Sequence, residues 1–277
     1  MKDGRANLEN KRKFEGFALL TGACGGLGKA FSHELLKRNY NLIVTGTNLE
    51  KTQKWAEELK KTHKNAQILA FKLNLEDEKS IDALVKDVQN SGVKVTTLIN
   101  NAGLIVEGGF LELSEEQVIN AVKINCLGTI SLTRKMLEAS ELKEILTTSS
   151  LGAFYPMPYM SIYASTKSFL EKLMVALREE LKPRGVKVSV LCPGGIPTTD
   201  AMKDAIKSQG VGGKLTAKSP EHIANYAISK LKKNKAVVIP GFANRFVRFI
   251  SRFVSEAYLA KRVSRMWIKA NKRRTIK

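Results

Sequence analysis

The sequence predicts an α/β fold, a parallel sheet with helices on both faces. Three observations carry it. Short runs rich in Val, Ile and Leu alternate with amphipathic stretches of helical period from Phe17 to Ile239, the pattern left by strand–helix–strand crossovers. The first run leads directly into a glycine cluster, Thr21-Gly-Ala-Cys-Gly-Gly-Leu-Gly28. Four loops, Gly22–Gly28, Asn100–Gly103, Ser149–Ser150 and Pro193–Thr199, each follow a strand. In a parallel sheet all four then lie on the carboxyl edge, where such sheets bind ligands.

The elements follow in order. Met1–Glu15 is a polar arm or a first surface turn, and Phe17–Thr21 a short buried strand. The glycine loop lets backbone approach a phosphate, and the helix continuing from Lys29 to Arg38 presents the positive end of its dipole; the plain alternative is a tight turn. Asn41–Thr45 is the second strand and ends in Gly46, Thr47 and Asn48, with no Asp or Glu. In a dinucleotide fold a carboxylate there accepts from a ribose 2′-OH and repels a 2′-phosphate. Its absence leans toward NADP(H), with Thr47, Asn48 and Lys51 as donors to a phosphate. Asn48 is equally placed to cap the helix Leu49–Thr62.

Gln67–Leu73 is the third strand, closed by Asn74 and Leu75, and Asp77–Gln89 is the next helix. Val95–Ile99 is the fourth strand. Ser114 and Gln117 have capping-box spacing and open one long helix to Ala139, with Asn125 buried in its middle. An amide there needs partners, and a core hydrogen bond is the plain reading. Ile145–Thr148 is a strand that Ser149 and Ser150 end. Ser161–Leu181 is a long helix with an apolar stripe from Phe169 to Leu181, stopped by Pro183 and Gly185. Val186–Leu191 is the next strand. Residues 200–218, with three glycines, are expected to form a flexible lid. Ser219 caps a helix to Leu231, and Ala236–Ile239 is a last short strand.

The chain has 277 residues, 43% of them hydrophobic, enough for a sizeable core. No apolar run approaches the ~18 residues of a membrane span, and the polar start has no signal-peptide pattern. Cys24, Cys126 and Cys192 are scattered and odd in number. They show neither a disulfide framework nor metal-ligand spacing, so no metal is expected, the cysteines read as small buried fillers, and a reducing cytoplasm fits best. The net charge is +20, and residues 241–277 hold eleven Lys/Arg against one acid, Glu256. Such an excess attracts nucleic acid, anionic lipid or phosphate-bearing ligands. No aromatic-basic recognition motif accompanies it, so no specific nucleic acid is expected.

The chemistry centres on Ser150 to Lys167. Tyr163 and Lys167 stand four residues apart on the long helix, one turn apart on one face. An ammonium near a phenol favours the phenolate, so Lys167 is expected to lower the Tyr163 pKa and let it exchange a proton near neutral pH. The Ser150 hydroxyl, at the end of the preceding strand, can hold the same substrate oxygen. This is the outline of a carbonyl/alcohol redox site. The plain alternative is an aromatic and a solvated cation on a helix.

Together these motifs resemble the short-chain dehydrogenase/reductase family over about residues 14–240. They are Thr21-Gly22-x-x-x-Gly26-x-Gly28, Asn100-Asn101-Ala102-Gly103, Asn125, Ser150, Tyr163-x-x-x-Lys167, and Pro193-Gly194 with Thr198. The resemblance implies a Rossmann-like doubly wound sheet of about seven strands and a nicotinamide cofactor, NADP with NAD as the alternative. Residues 1–240 would then be the dinucleotide-binding catalytic domain and 241–277 a basic amphipathic helical tail. It further implies that Tyr163 is the general acid/base, that Lys167 lowers its pKa and bonds the nicotinamide ribose, and that Ser150 orients the substrate oxygen. Asn125 then supports a proton-relay water. Gly22, Cys24, Gly26, Leu27 and Gly28 hold the pyrophosphate. Asn101 is expected by the adenosine end and Thr198 by the carboxamide and phosphates, and Thr47, Asn48, Asn74, Leu75, Ala102, Gly103, Pro193, Gly194 and Ile196 complete the cofactor contacts with Tyr163 and Lys167. Two departures stand out: Asn74 replaces the family's usual Asp, and residue 25 is Gly where many NADP-dependent members carry Lys or Arg.

Ser150, Gly152, Met157, Tyr163 and Met202 are the expected substrate contacts. Leu151, Phe154, Tyr155, Tyr159, Met160, Ile196 and Ile206 extend an apolar lining that suits a hydrophobic ketone, aldehyde or secondary alcohol. The alternative function is a cofactor-sensing protein without turnover, although a sensor has no need of a proton donor. His33, His63 and His222 fall outside every motif. The tail repeats aromatics at helical spacing, Phe242, Phe246, Phe249 and Phe253, among arginines. It suits either an anionic membrane surface or packing on protein, and the long helices permit a homo-oligomer.

Overall fold

The computed structural model of the chain describes residues 14–208 and 210–275; most of the arm expected over Met1–Glu15 lies outside them. Seven strands form one sheet: β1 (Phe17–Leu20), β2 (Asn41–Gly46), β3 (Ile68–Lys72), β4 (Val95–Asn100), β5 (Glu144–Thr148), β6 (Lys187–Leu191) and β7 (Val237–Val238). Every pairing is parallel, in the order β3-β2-β1-β4-β5-β6-β7. This is the Rossmann-like doubly wound arrangement, and its order reverses between β1 and β4.

The helices are α1 (Gly26–Lys37), α2 (Leu49–Thr62), α3 (Glu78–Asn90), α4 (Glu115–Val122), α5 (Thr129–Ala139), α6 (Ser161–Leu181), α7 (Asp200–Ser208), α8 (Gly210–Thr216), α9 (Pro220–Lys232), α10 (Phe242–Ile250) and α11 (Glu256–Thr275). Strand alternation divides the core in two. Ala18, Leu20, Leu42 and Val44 face a layer with Phe31, Leu35, Trp55, Leu59 and Ile228. Phe17, Leu19 and Ile43 face the opposite layer, with Ile81, Leu84, Leu132, Met136 and Met174. Both faces are buried, which is why the strands read as nearly continuous apolar runs.

Caps set several boundaries. Asn48 accepts from the Lys51 N–H at 2.8 Å, Ser219 caps α9 through the His222 N–H at 3.2 Å, and Ser114 with Gln117 forms the reciprocal box that opens α4. The helix expected to run unbroken from Ser114 to Ala139 is interrupted by a π turn, Lys123–Gly128. The turn is packed closely on distant segments: a Cβ on Gly128 would stand 2.1 Å from the Leu75 carbonyl oxygen, and the Asn125 side chain is bound to the Leu104 backbone. Within residues 200–218, expected as a flexible lid, 200–208 and 210–216 form the short helices α7 and α8, and Ile206 of α7 is buried against Gly195.

Candidate active site

The carboxyl edge of the sheet opens into one cleft of roughly 510 Å³, within the range of about 300–1,000 Å³ common for small-molecule sites. The glycine loop after β1 forms its floor. Gly22 has φ +65°, and a Cβ there would lie 3.0 Å from Ala102 Cα. A Cβ on Gly28 would lie 2.1 Å from the Gly22 carbonyl oxygen, and one on Gly26 2.5 Å from Thr198 Cγ2. These glycines are therefore fixed by close approach of backbone to backbone and of the 193–199 loop to α1.

Thr21 ties β1 to β4. Its hydroxyl accepts from the Asn101 and Ala102 N–H groups, each at 2.9 Å. The Asn101 side chain donates back to the Thr21 carbonyl at 3.1 Å. Asn101 thus braces the glycine loop as well as lining the cleft. Asn48 caps α2 and also lines the cleft. The Asn74 Oδ1 accepts from the Glu76 N–H at 3.1 Å, which leaves its amide nitrogen for other partners.

α6 carries the reactive pair into the same cleft. Lys167 is buried, and its Nζ donates to the Thr148 carbonyl at 3.0 Å and lies 5.8 Å from the Tyr163 ring centroid. Burial draws its pKa down to about 8. Ser149 Oγ donates to the Lys167 carbonyl at 2.6 Å, joining α6 to the end of β5. The Ser150 hydroxyl accepts from the Gly152 N–H at 3.1 Å. Tyr163 and Lys167 do share a face, but the expected acidification is not met. Burial raises the phenol above its ordinary value, a hydrogen bond from the Ser150 side chain lowers it in part, and Cys192 raises it further. An ammonium that is itself desolvated, and engaged by a carbonyl, does not reverse the cost of burying a phenolate.

Asn125 is fully buried in the π turn. Its Oδ1 accepts from the Leu104 N–H at 2.7 Å, and its Nδ2 donates to the Leu104 carbonyl at 2.9 Å and to Thr166 Oγ1 at 3.0 Å. It does not line the cleft, yet a Cβ on Gly103 would sit 3.1 Å from both Asn125 Oδ1 and Lys167 Nζ. The amide therefore holds the Gly103 turn against the lysine.

The cleft brings together Gly22, Cys24, Gly26, Leu27, Gly28, Thr47, Asn48, Asn74, Leu75, Asn101, Ala102, Gly103, Ser150, Tyr163, Lys167, Pro193, Gly194, Ile196, Thr198 and Met202. Gly152 and Met157 pack on each other and do not line it; a Cβ on Gly152 would be 2.4 Å from Met157 Sδ. Of the cysteines, Cys126 and Cys192 are buried and Cys24 is half-buried. Ile105, Ile124 and Thr148 line the cleft without having been singled out. Thr148 Oγ1 is buried and lacks a partner. Nor did sequence reasoning find Asn244, which is buried on α10 and donates to the Thr216 carbonyl at 3.0 Å beside Gly194. No local pattern marks it. Among the described residues, the cleft lining includes two cations, Lys51 and Lys167, and no carboxylate. Such a donor-rich, acid-free lining beside a glycine loop and a helix N-terminus suits a ligand carrying phosphates, and the pyrophosphate of a dinucleotide fits it.

Comparison with known proteins agrees with this geometry. A family model described as short chain dehydrogenase matches residues 16–210. A very-long-chain 3-oxoacyl-CoA reductase of Pyricularia oryzae is 31% identical over 193 residues, covering 68% of this chain and 58% of the relative. The match spans a little over half the length of this relative and of two other fungal reductases of the same name, and about seven-tenths of others. Among solved structures, L-sorbose reductase from Gluconobacter frateurii, complexed with NADPH and L-sorbose, superposes with a TM-score of 0.73 at 21% identity, covering 82% of this chain and 95% of that one. A 3-ketoacyl-(acyl-carrier-protein) reductase from Brucella melitensis, complexed with NADH, gives 0.69 at 22% identity, covering 82% and 97%. At that identity the structures share the fold.

Proposed function

The chain belongs to the short chain dehydrogenase family, and from that premise we propose that it transfers a hydride between NADP(H) and an apolar carbonyl compound or its secondary alcohol, set up for reduction. The observation that carries this is the presence of Ser150, Tyr163 and Lys167 in the same cleft as the glycine loop. A bound nicotinamide supplies the hydride from its ring. Tyr163 does the acid work: burial keeps its phenol protonated through neutral pH, so it holds a proton ready for a carbonyl oxygen that gains charge. Ser150 offers a second hydroxyl to that oxygen. Lys167, whose ammonium donates to the Thr148 carbonyl and has further N–H donors to spare, would hold a ribose hydroxyl of the cofactor and would place a positive charge near the developing alkoxide. Asn125 acts at one remove, by fixing the Gly103 turn.

The choice of NADP(H) is supported by the end of β2, where Gly46, Thr47 and Asn48 bring no carboxylate and Lys51 reaches the cleft. A 2′-phosphate meets no repulsion there. For the substrate, the apolar Ile105, Ile124, Ile196 and Met202 in the lining, together with the name of the fungal relatives, favour a fatty 3-oxoacyl thioester.

The test is turnover of a chain-length series of 3-oxoacyl thioesters and simple ketones with NADPH and NADH, on wild type and Tyr163→Phe. Loss of a positioned acid removes about 10²- to 10⁴-fold in rate, and Tyr163→Phe should fall by that much with KM for the cofactor little changed. Turnover that survives the substitution ends the acid role. A preference for NADH beyond tenfold overturns the cofactor choice.

A further inference from the structure

Phe242, Phe246, Phe249 and Phe253 follow one another at intervals of four, three and four residues, the spacing of a single helical stripe. All four are exposed, at 76%, 55%, 54% and 74%. The exposure does not come from a loose helix. The opposite side of α10 is anchored: Asn244 donates to the Pro240 carbonyl at 2.7 Å and to the Thr216 carbonyl at 3.0 Å, and the Arg248 guanidinium lies 4.0 Å over the Phe154 ring. Phe249 and Phe253 meet edge to face with centroids 5.1 Å apart, so the stripe holds together past the end of α10. Residues 241–255 contain Arg245, Arg248 and Arg252 and no acid.

Single exposed apolar residues need no explanation, but an aligned row of four aromatics does. A second copy of this chain is a poor occupant, since a self-complementary contact of this segment would set its arginines near their own copies, with no carboxylate among residues 241–255 to pair them. A nucleic acid would meet the arginines but leave the phenylalanine ridge without a match. An anionic bilayer meets both features: aromatics enter the headgroup–acyl boundary while arginines reach the phosphates. We propose that α10 docks this chain on an anionic lipid surface, with the Phe242–Phe253 stripe inserted and Arg245 and Arg252 at the phosphate level. The proposal is independent of the reaction assigned to the cleft.

The test is flotation of the full chain with vesicles of phosphatidylcholine alone and of phosphatidylcholine mixed with phosphatidylserine. Wild type should float with the anionic vesicles, less at high salt, and at least about tenfold more weakly with the neutral ones. Phe246→Ser with Phe249→Ser, and separately Arg245→Gln with Arg252→Gln, should each weaken flotation by about tenfold or more. These side chains are exposed, so the fold should survive; circular dichroism checks it. Phe246→Trp should show blue-shifted emission with anionic vesicles only. Equal flotation of wild type and the phenylalanine pair sinks the proposal. So does absence of flotation, whether or not the phenylalanine pair abolishes a concentration-dependent dimer or leaves heparin retention intact.

Discussion

Lys167 has lost water on all sides and regained one carbonyl, from Thr148. That imbalance draws its pKa to about 8, while burial holds the Tyr163 phenol above its ordinary value. On raising pH, the lysine of the free protein therefore loses its charge first. The value of kcat/KM for the cofactor reports ionisations of the free enzyme. In the reduction direction it should fall above about pH 8 with the slope of one proton. Lys167→Met should start lower and stay flat through that region. A wild-type profile level to about pH 9.5 would show that the lysine charge is not used. The spacing of Tyr163 and Lys167 was legible because a helix turn fixes which side chains share a face. The direction of the tyrosine shift was not, because it depends on burial by segments distant in sequence.

The π turn between α4 and α5 shows the same limit one level up. Ser114 and Gln117 announced where the helix begins, and Asn125 stood out as an amide among apolar neighbours. Its partners, Leu104 and Thr166, lie 21 and 41 residues away, so neither the extra residue in the turn nor its purpose could be read locally. The hydrogen bonds of Asn125 are internal, as the core reading has it, and they brace the loop beside Lys167. Asn125→Ala removes both bonds to the Leu104 backbone and the one to Thr166. Groups left without partners cost about 1–3 kcal/mol each when buried; Leu104 is only half-buried, so about 2 kcal/mol in total is expected. Urea unfolding should show a lower midpoint with unchanged slope. KM for the cofactor should rise as the Gly103 turn loosens. An unchanged midpoint would mean that the π turn is held by packing of Gly128 on Leu75 alone.

The molecule keeps its two kinds of polar chemistry on opposite edges of the sheet. The carboxyl edge gathers the cleft, with cations and, among the described residues, no carboxylate in its lining. Toward the amino edge, Glu144 at the start of β5 is buried and accepts from Tyr40 Oη at 2.7 Å and Thr97 Oγ1 at 3.3 Å, with Lys232 Nζ at 3.2 Å and Lys187 Nζ at 3.5 Å. One carboxylate thus links β4, β5, β6, the end of α9 and the turn before β2. The parallel sheet and its ligand edge were legible, because alternating strands and helices leave little other topology. This network was not, since Tyr40 and Glu144 are 104 residues apart and nothing in either neighbourhood marks the pairing. The separation has a testable consequence. Glu144→Gln keeps an acceptor for Tyr40 and Thr97 but removes the charge that Lys187 and Lys232 face. Both lysines are partly solvated, which limits the loss to about 1–2 kcal/mol. For a chain of this size that corresponds to a drop in Tm of about 2–8 °C. KM for cofactor and substrate should stay within about twofold of wild type, because the altered group lies a full strand length from the cleft. Differential scanning calorimetry and steady-state kinetics on the same preparation decide it. An unchanged Tm would deny the carboxylate its linking role, and a large rise in KM would show that the two edges of the sheet are mechanically joined.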